Sequence, residues 1–87
     1  MDLFKGREYG EWRQAVTPLQ LELRELGYGC FQSNPCVSVT HRQLSDSDIA
    51  TVEWTVRKFF PSMSWRGRTI SVWRYEPHNS IKVEFRR

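Results

Sequence analysis

The sequence predicts an α+β domain, a two-layer sandwich with two helices on one face of a small antiparallel sheet. Three observations carry this reading. Two apolar stripes recur at helical spacing, two segments alternate apolar and polar residues with the period of a strand, and turn-forming residues punctuate the chain between them. The resulting order is α-β-β-α-β-β, for which one sheet covered on one side is the economical packing.

The first stripe is Trp12, Ala15, Val16, Leu19, Leu23 and Leu26, at three- and four-residue steps, which predicts a helix near residues 10–26. Pro18 falls inside it. Thr17-Pro18-Leu19-Gln20 has the pattern of a capping box with proline at the first helical position, so a restart or kink is expected there. Gly27 supplies the stop. Next, "YGCFQ" and "CVSVTH" flank the turn signal Ser33-Asn34-Pro35, and in the second run Val37 and Val39 share a face. A second helix is expected near residues 46–60, with Ser45 or Ser47 as cap and Asp46 and Asp48 at its positive end. Its stripe is Ile49, Val52, Val56 and Phe59, and Pro61 closes it. Finally "TISVWRY" and "IKVEF" alternate around "EPHNS" and predict a hairpin of 69–75 with 80–86. Ile70, Val72, Ile81, Val83 and Phe85 form its inward set. The strand order is not legible.

A chain of 87 residues makes one domain. We read residues 1–8 as a flexible N-terminal segment and residues 9–87 as the domain. Hydrophobic content of 39% argues against disorder, and no apolar run is long enough to cross a bilayer. The N-terminus lacks the apolar stretch of a signal peptide, so a cytoplasmic location is expected. The formal charge is +3, and its placement is uneven. In residues 1–43 the basic and acidic side chains cancel, so the whole excess lies in residues 44–87. Such asymmetry fits a polyanionic partner.

Cys30 and Cys36 read as free, partly buried thiols. With His41 and His78 they make a two-cysteine, two-histidine set, but the C-x5-C spacing and distant histidines do not fit structural zinc. A Cys36–His41 nucleophilic pair would point to opposite faces of one strand. There is no glycine-rich phosphate loop, no H-E-x-x-H and no carboxylate pair on the basic sheet, so neither catalysis nor a cofactor is expected.

What stands out is the acid-free stretch "FFPSMSWRGRTISVWRY", residues 59–75, dense in aromatic rings and arginine. Strand alternation turns Trp73 and Tyr75 outward, and Lys82, Glu84 and Arg86 face outward from the last strand with them. Arg66 and Arg68 surround Gly67 in the preceding loop. Helical phase places Trp54 opposite its own helix's stripe, with Lys58 one turn on and Arg57 at the flank. Trp54 either lies under the N-terminal segment against Leu3 and Phe4 or extends the outward surface. The candidate site is therefore Trp54, Arg57, Lys58, Arg66, Arg68, Trp73, Tyr75, Lys82 and Arg86.

Rings beside cations on an open sheet hold single-stranded nucleic acid by stacking and phosphate pairing. The same residues dominate protein interfaces, and aromatic pairs also stabilise half-exposed sheets as cross-strand neighbours. The sequence thus points to a small non-enzymatic module for nucleic acid, single-stranded or RNA. The alternative is a protein-binding regulator of phage or mobile-element type that blocks a host machine through the same surface. No membrane partner is expected, and the chain would be a monomer or a homodimer.

Overall fold

A computed structural model describes residues 2–87. The elements are α1 (Gly6–Glu25), β1 (Gly29–Ser33), β2 (Cys36–Thr40), α2 (Asp46–Phe59), β3 (Ser64–Trp65), β4 (Arg68–Tyr75), a 3-10 turn (Glu76–His78) and β5 (Ser80–Arg86). The strands form one antiparallel sheet in the order β1-β2-β5-β4-β3, with both helices on one face. The α+β sandwich expected from the sequence is the observed fold. Its additional strand, β3, is two residues long and pairs with Thr69 and Arg68, too short to show any alternation.

The register explains the layers. Cys30, Val39 and Ile81 lie side by side across the helix-covered face, as do Val37, Val83 and Val72, and Phe85 pairs with Ile70. Trp12, Val16, Leu19 and Leu23 of α1 and Val52 and Val56 of α2 close over them. Phe85 is the aromatic hub. Its ring meets Trp12 at 5.9 Å, Phe60 at 5.6 Å and Phe4 at 6.1 Å, each edge to face. Edge-to-face geometry suits the ring quadrupoles and adds to the burial itself.

Several expectations are corrected. The first residues are not a flexible lead-in: Phe4 is in the core, stacked on Trp12 at 5.1 Å, and α1 already begins at Gly6. The Asn34 side chain holds the segment by accepting from the Phe4 N–H and donating to its carbonyl, both at 2.9 Å. Pro18 neither restarts nor ends α1, which runs through it. Thr17 does not cap; its hydroxyl donates back to the Arg13 carbonyl at 2.7 Å. Gln20 reaches instead to the Cys30 carbonyl on β1. Phe59 is only partly buried, because the helix ends there and Phe60 leaves it with φ −134°, turning its own ring into the core. Ile49 and Val72 likewise pack at the margin of the core.

Other local signals are realised. Gly27, at φ +100°, terminates the α1 turn in a conformation that side chains rarely adopt. Ser45 is the N-cap of α2, and its backbone N–H donates to Asp48 Oδ2 at 2.8 Å. Asp48 Oδ1 accepts from the Tyr28 hydroxyl at 2.6 Å, which ties the end of α1 to the start of α2. Among the described residues, no helix is long and apolar enough to cross a membrane.

Candidate functional site: the helix-free face of the sheet

The helices leave one face of the sheet uncovered, and the register states what stands on it. Phe31 of β1, Ser38 of β2, Lys82 of β5 and Trp73 of β4 form one row across four strands. Gly29, Thr40, Ser80 and Tyr75 form the row on one side, and Ser33, Cys36, Glu84 and Ser71 the row on the other. Cys36 and Ser38 of β2 and Ser80 of β5 are small and buried, while Lys82 and Glu84 stand beside Ser80 on β5, the middle strand. The rings stand at the margins. Three inter-strand spacings, about 14 Å, separate the β1 and β4 backbones that carry Phe31 and Trp73. Gly29 fits here for a steric reason: a Cβ would sit 2.4 Å from Thr40 Oγ1.

The polar groups are organised around the rings. Trp73 and Tyr75 are 5.9 Å apart and tilted by 60°. Lys82 Nζ lies 5.3 Å from the Tyr75 centroid and donates to Ser38 Oγ at 2.7 Å. The Trp73 indole N–H donates to Glu84 Oε1 at 3.0 Å, and Arg86 Nε donates to the same oxygen at 3.0 Å. The charge here is therefore not wholly positive: Lys82 and Arg86 surround a buried carboxylate that the indole and guanidinium satisfy. Burial raises the Cys36 thiol to about 11, with the Glu84 charge adding to the effect.

The nine residues expected to form one surface separate into four places. Trp73, Tyr75, Lys82 and Arg86 share the helix-free face. Trp54, Arg57 and Lys58 lie on α2 in the opposite layer. Trp54 is 70% exposed and does not lie under the N-terminal segment, whose Phe4 faces Trp12 instead. Arg57 pairs with Glu53 one turn back, and Lys58 pairs with Glu22 of α1. Arg66 occupies the β3–β4 turn at φ +48°, pairs with Glu11 of α1 and stacks on Trp65 at 4.6 Å.

Arg68 is not a surface residue at all. It is 3% exposed, its guanidinium lies 3.7 Å from the Phe4 centroid, and it donates to the carbonyls of Asp2, Leu3 and Phe85. The reason is strand parity. β4 begins at Arg68, one residue earlier than expected, so alternation puts Arg68 on the same face as Ile70 and Val72.

Phe31 is the residue sequence reasoning missed, half exposed on the uncovered face. Its signal was present: Cys30 and Phe31 must point to opposite faces, and the Ser33-Asn34-Pro35 turn sets which residue of β2 each one meets. Cys30 and Cys36 are free and lie on opposite faces of the sheet, Cys30 with the core and Cys36 beneath Glu84 and its neighbours. Among the described residues, no group of three or more His, Cys, Asp or Glu side chains is gathered to hold a metal ion. No protein-family model matches the chain, and neither the curated proteins nor the solved structures contain a significant match to it.

Proposed function

We propose that this protein is a non-enzymatic module that binds single-stranded nucleic acid, RNA or DNA, on the helix-free face of its sheet. The observation that supports this reading is the row Phe31–Ser38–Lys82–Trp73 with Tyr75 beside it, a set of rings flanking a cation that rests on the small Ser38. Bases stack on ring faces regardless of sequence, Phe31 being exposed and Trp73 and Tyr75 half-buried, and a lysine between the rings lies where the phosphate backbone would pass. Among the described residues of these strands, only Lys82 and Arg86 bring positive charge to this face, so stacking dominates and electrostatics is secondary.

Fluorescence anisotropy with labelled single- and double-stranded oligonucleotides across a salt series tests this. The expected result is preference for the single strand and a plot of log affinity against log salt no steeper than about −1.4, the single-strand value for two neutralised phosphates. Trp73→Ala then loses about 1–3 kcal/mol per stacked base with little change in slope. Lys82→Ala flattens the slope, while Arg66→Ala, remote from this face, leaves affinity unchanged.

A second reading is favoured by one specific observation. Both cations on the face already hold internal partners, Lys82 on Ser38 and Arg86 on Glu84. A protein-binding regulator or inhibitor, acting on a host machine through the same rings, needs no free phosphate-binding cation. Its signature is negligible oligonucleotide affinity together with a protein captured from lysate that Phe31→Ala and Trp73→Ala both release.

A further inference from the structure

The two edges of the sheet are treated differently. At the β1 edge, the Cys30 carbonyl is capped by α1: Gln20 Nε2 donates to it at 3.1 Å, and Arg24 donates through Nε at 3.1 Å and Nη2 at 2.8 Å. Such capping keeps an edge strand from recruiting another strand. At the opposite edge, β3 pairs only with Arg68 and Thr69, and the Met63 carbonyl accepts the Ile70 N–H at 2.8 Å. Beyond Ile70, β4 has no neighbour on that side among the described residues.

Two hydrogen bonds set the phase of this open edge. Because the Ile70 N–H points outward to Met63, residues 70, 72 and 74 direct their backbone groups away from β5. The Phe85 N–H, which donates to the Pro35 carbonyl on the β2 side, gives the same phase from the other strand. The ladder from Thr69↔Arg86 to Tyr75↔Ser80 contains no bulge, so the phase holds throughout. Val72 and Arg74 therefore each present an unpaired N–H and C=O.

We propose that the β4 edge pairs with β4 of a second copy of this chain across a two-fold axis beside Trp73, joining the two sheets into one. Self-complementarity selects both the partner and the register. With Val72 of one copy opposite Arg74 of the other, each free N–H meets a free C=O, and the two Trp73 residues face each other as a non-hydrogen-bonded pair. The register one step toward the N-terminus places Arg74 opposite Ile70, whose N–H is already held by Met63. The register one step toward the C-terminus sets Arg74 against Arg74, and like charges directly opposed are destabilising. In the selected register the aromatic cross-strand pair is favourable, and the contact is isologous and closed. This inference rests on backbone geometry and not on what the sheet face binds, and Trp73 belongs to both surfaces.

Sedimentation at increasing concentration of the full chain, with two kinds of variant, tests it. The wild type is expected to dimerise reversibly. Arg74→Pro removes an outward N–H but no bond to β5, a position where an edge strand tolerates proline, and is expected to be monomeric with unchanged circular dichroism. Trp73→Cys places two thiols in a non-hydrogen-bonded antiparallel pair, where Cα atoms lie about 4.5 Å apart, within disulfide range. Mild oxidation is expected to give covalent dimer from Trp73→Cys and none from Thr69→Cys or the wild type. A wild type that stays monomeric to the limit of its solubility overturns the proposal, as does a folded Arg74→Pro that still dimerises. If Arg74→Pro fails to fold, the cross-link decides: equal yields from Trp73→Cys and Thr69→Cys overturn it.

Discussion

The indole N–H of Trp73 donates to Glu84 Oε1 at 3.0 Å, diagonally across the β4–β5 ladder on the helix-free face. The bond holds the largest ring of the face in one orientation and satisfies a carboxylate that is only 9% exposed. Glu84→Gln keeps an acceptor for the indole while removing the only acid from this row of side chains. It is expected to leave the fold intact and to raise oligonucleotide affinity with a steeper salt dependence, read by anisotropy. Trp73→Phe, which removes the donor, is expected to cost about 1–2 kcal/mol in urea unfolding, since a buried acceptor loses one of its partners.

Phe60, rather than Phe59, is the end-of-helix residue on which the core depends. Phe60→Ala and Phe85→Ala are each expected to cost about 3–5 kcal/mol, a large share of the stability of a small domain. Phe59→Ala should cost distinctly less, because its ring is only partly buried. Denaturant titrations of the three variants check the order.

Arg68 fastens the N-terminal segment to the sheet through three backbone carbonyls and the Phe4 ring. Lysine lacks the planar fork that reaches several acceptors at once. Arg68→Lys is therefore expected to destabilise by about 2–3 kcal/mol and to release the Phe4 amide, held by Asn34, to fast hydrogen exchange.

The thiols of Cys30 and Cys36 are each raised to about 11, chiefly by burial. At pH 8 both are protonated and shielded, so iodoacetamide is expected to label neither in the native protein and both after denaturation. Because the two lie on opposite faces, reducing agent should leave the melting temperature unchanged.

Tyr28 and Asp48 shift in opposite directions. The Tyr28 hydroxyl rises to about 12, from burial first and then from its bond to Asp48. The Asp48 carboxyl is lowered, first by the Tyr28 hydroxyl and then by the Ser45 N–H. A lowered carboxyl stabilises fully above the ordinary carboxylate range and loses that contribution as pH falls through its folded value. A raised phenol stabilises fully below its ordinary value of 10.0 and loses that contribution as pH climbs toward about 12. Tyr28→Phe is expected to remove the Tyr28 share of the alkaline loss, leaving that of the two buried thiols, and to diminish the acidic loss, read from urea midpoints across pH.

Much of the architecture was legible because it rests on periodicity. The stripe Val16, Leu19, Leu23 and the alternation of β4 and β5 each express a repeat that burial imposes. The site was less legible because it depends on parity at element ends. Starting β4 at Thr69 or at Arg68 decides whether an arginine reads as loop or core, and a helix ending at Phe59 decides which phenylalanine turns inward. Trp54 was correctly phased to the outside of α2, but helical phase says nothing of which layer that outside belongs to. The N-terminal segment was opaque for another reason: Phe4 is fixed by Asn34, Trp12 and Arg68, contacts across the chain that leave no local pattern.

Among the described residues, the β2–β5 ladder is the only strand pairing between the first half of the chain and the second, and its partners are far apart in sequence, as Ser38 and Lys82 are at a separation of 44. Each half can assemble its own hairpin quickly, because those contacts are local. Joining the halves requires closing a long loop before any contact repays the entropy, and such topology slows folding. The rate of acquiring the native state is therefore governed by one seam through the middle of the sheet. Until that seam closes, the inner edges of both hairpins stand open, and that interval is when the chain is most exposed to aggregation.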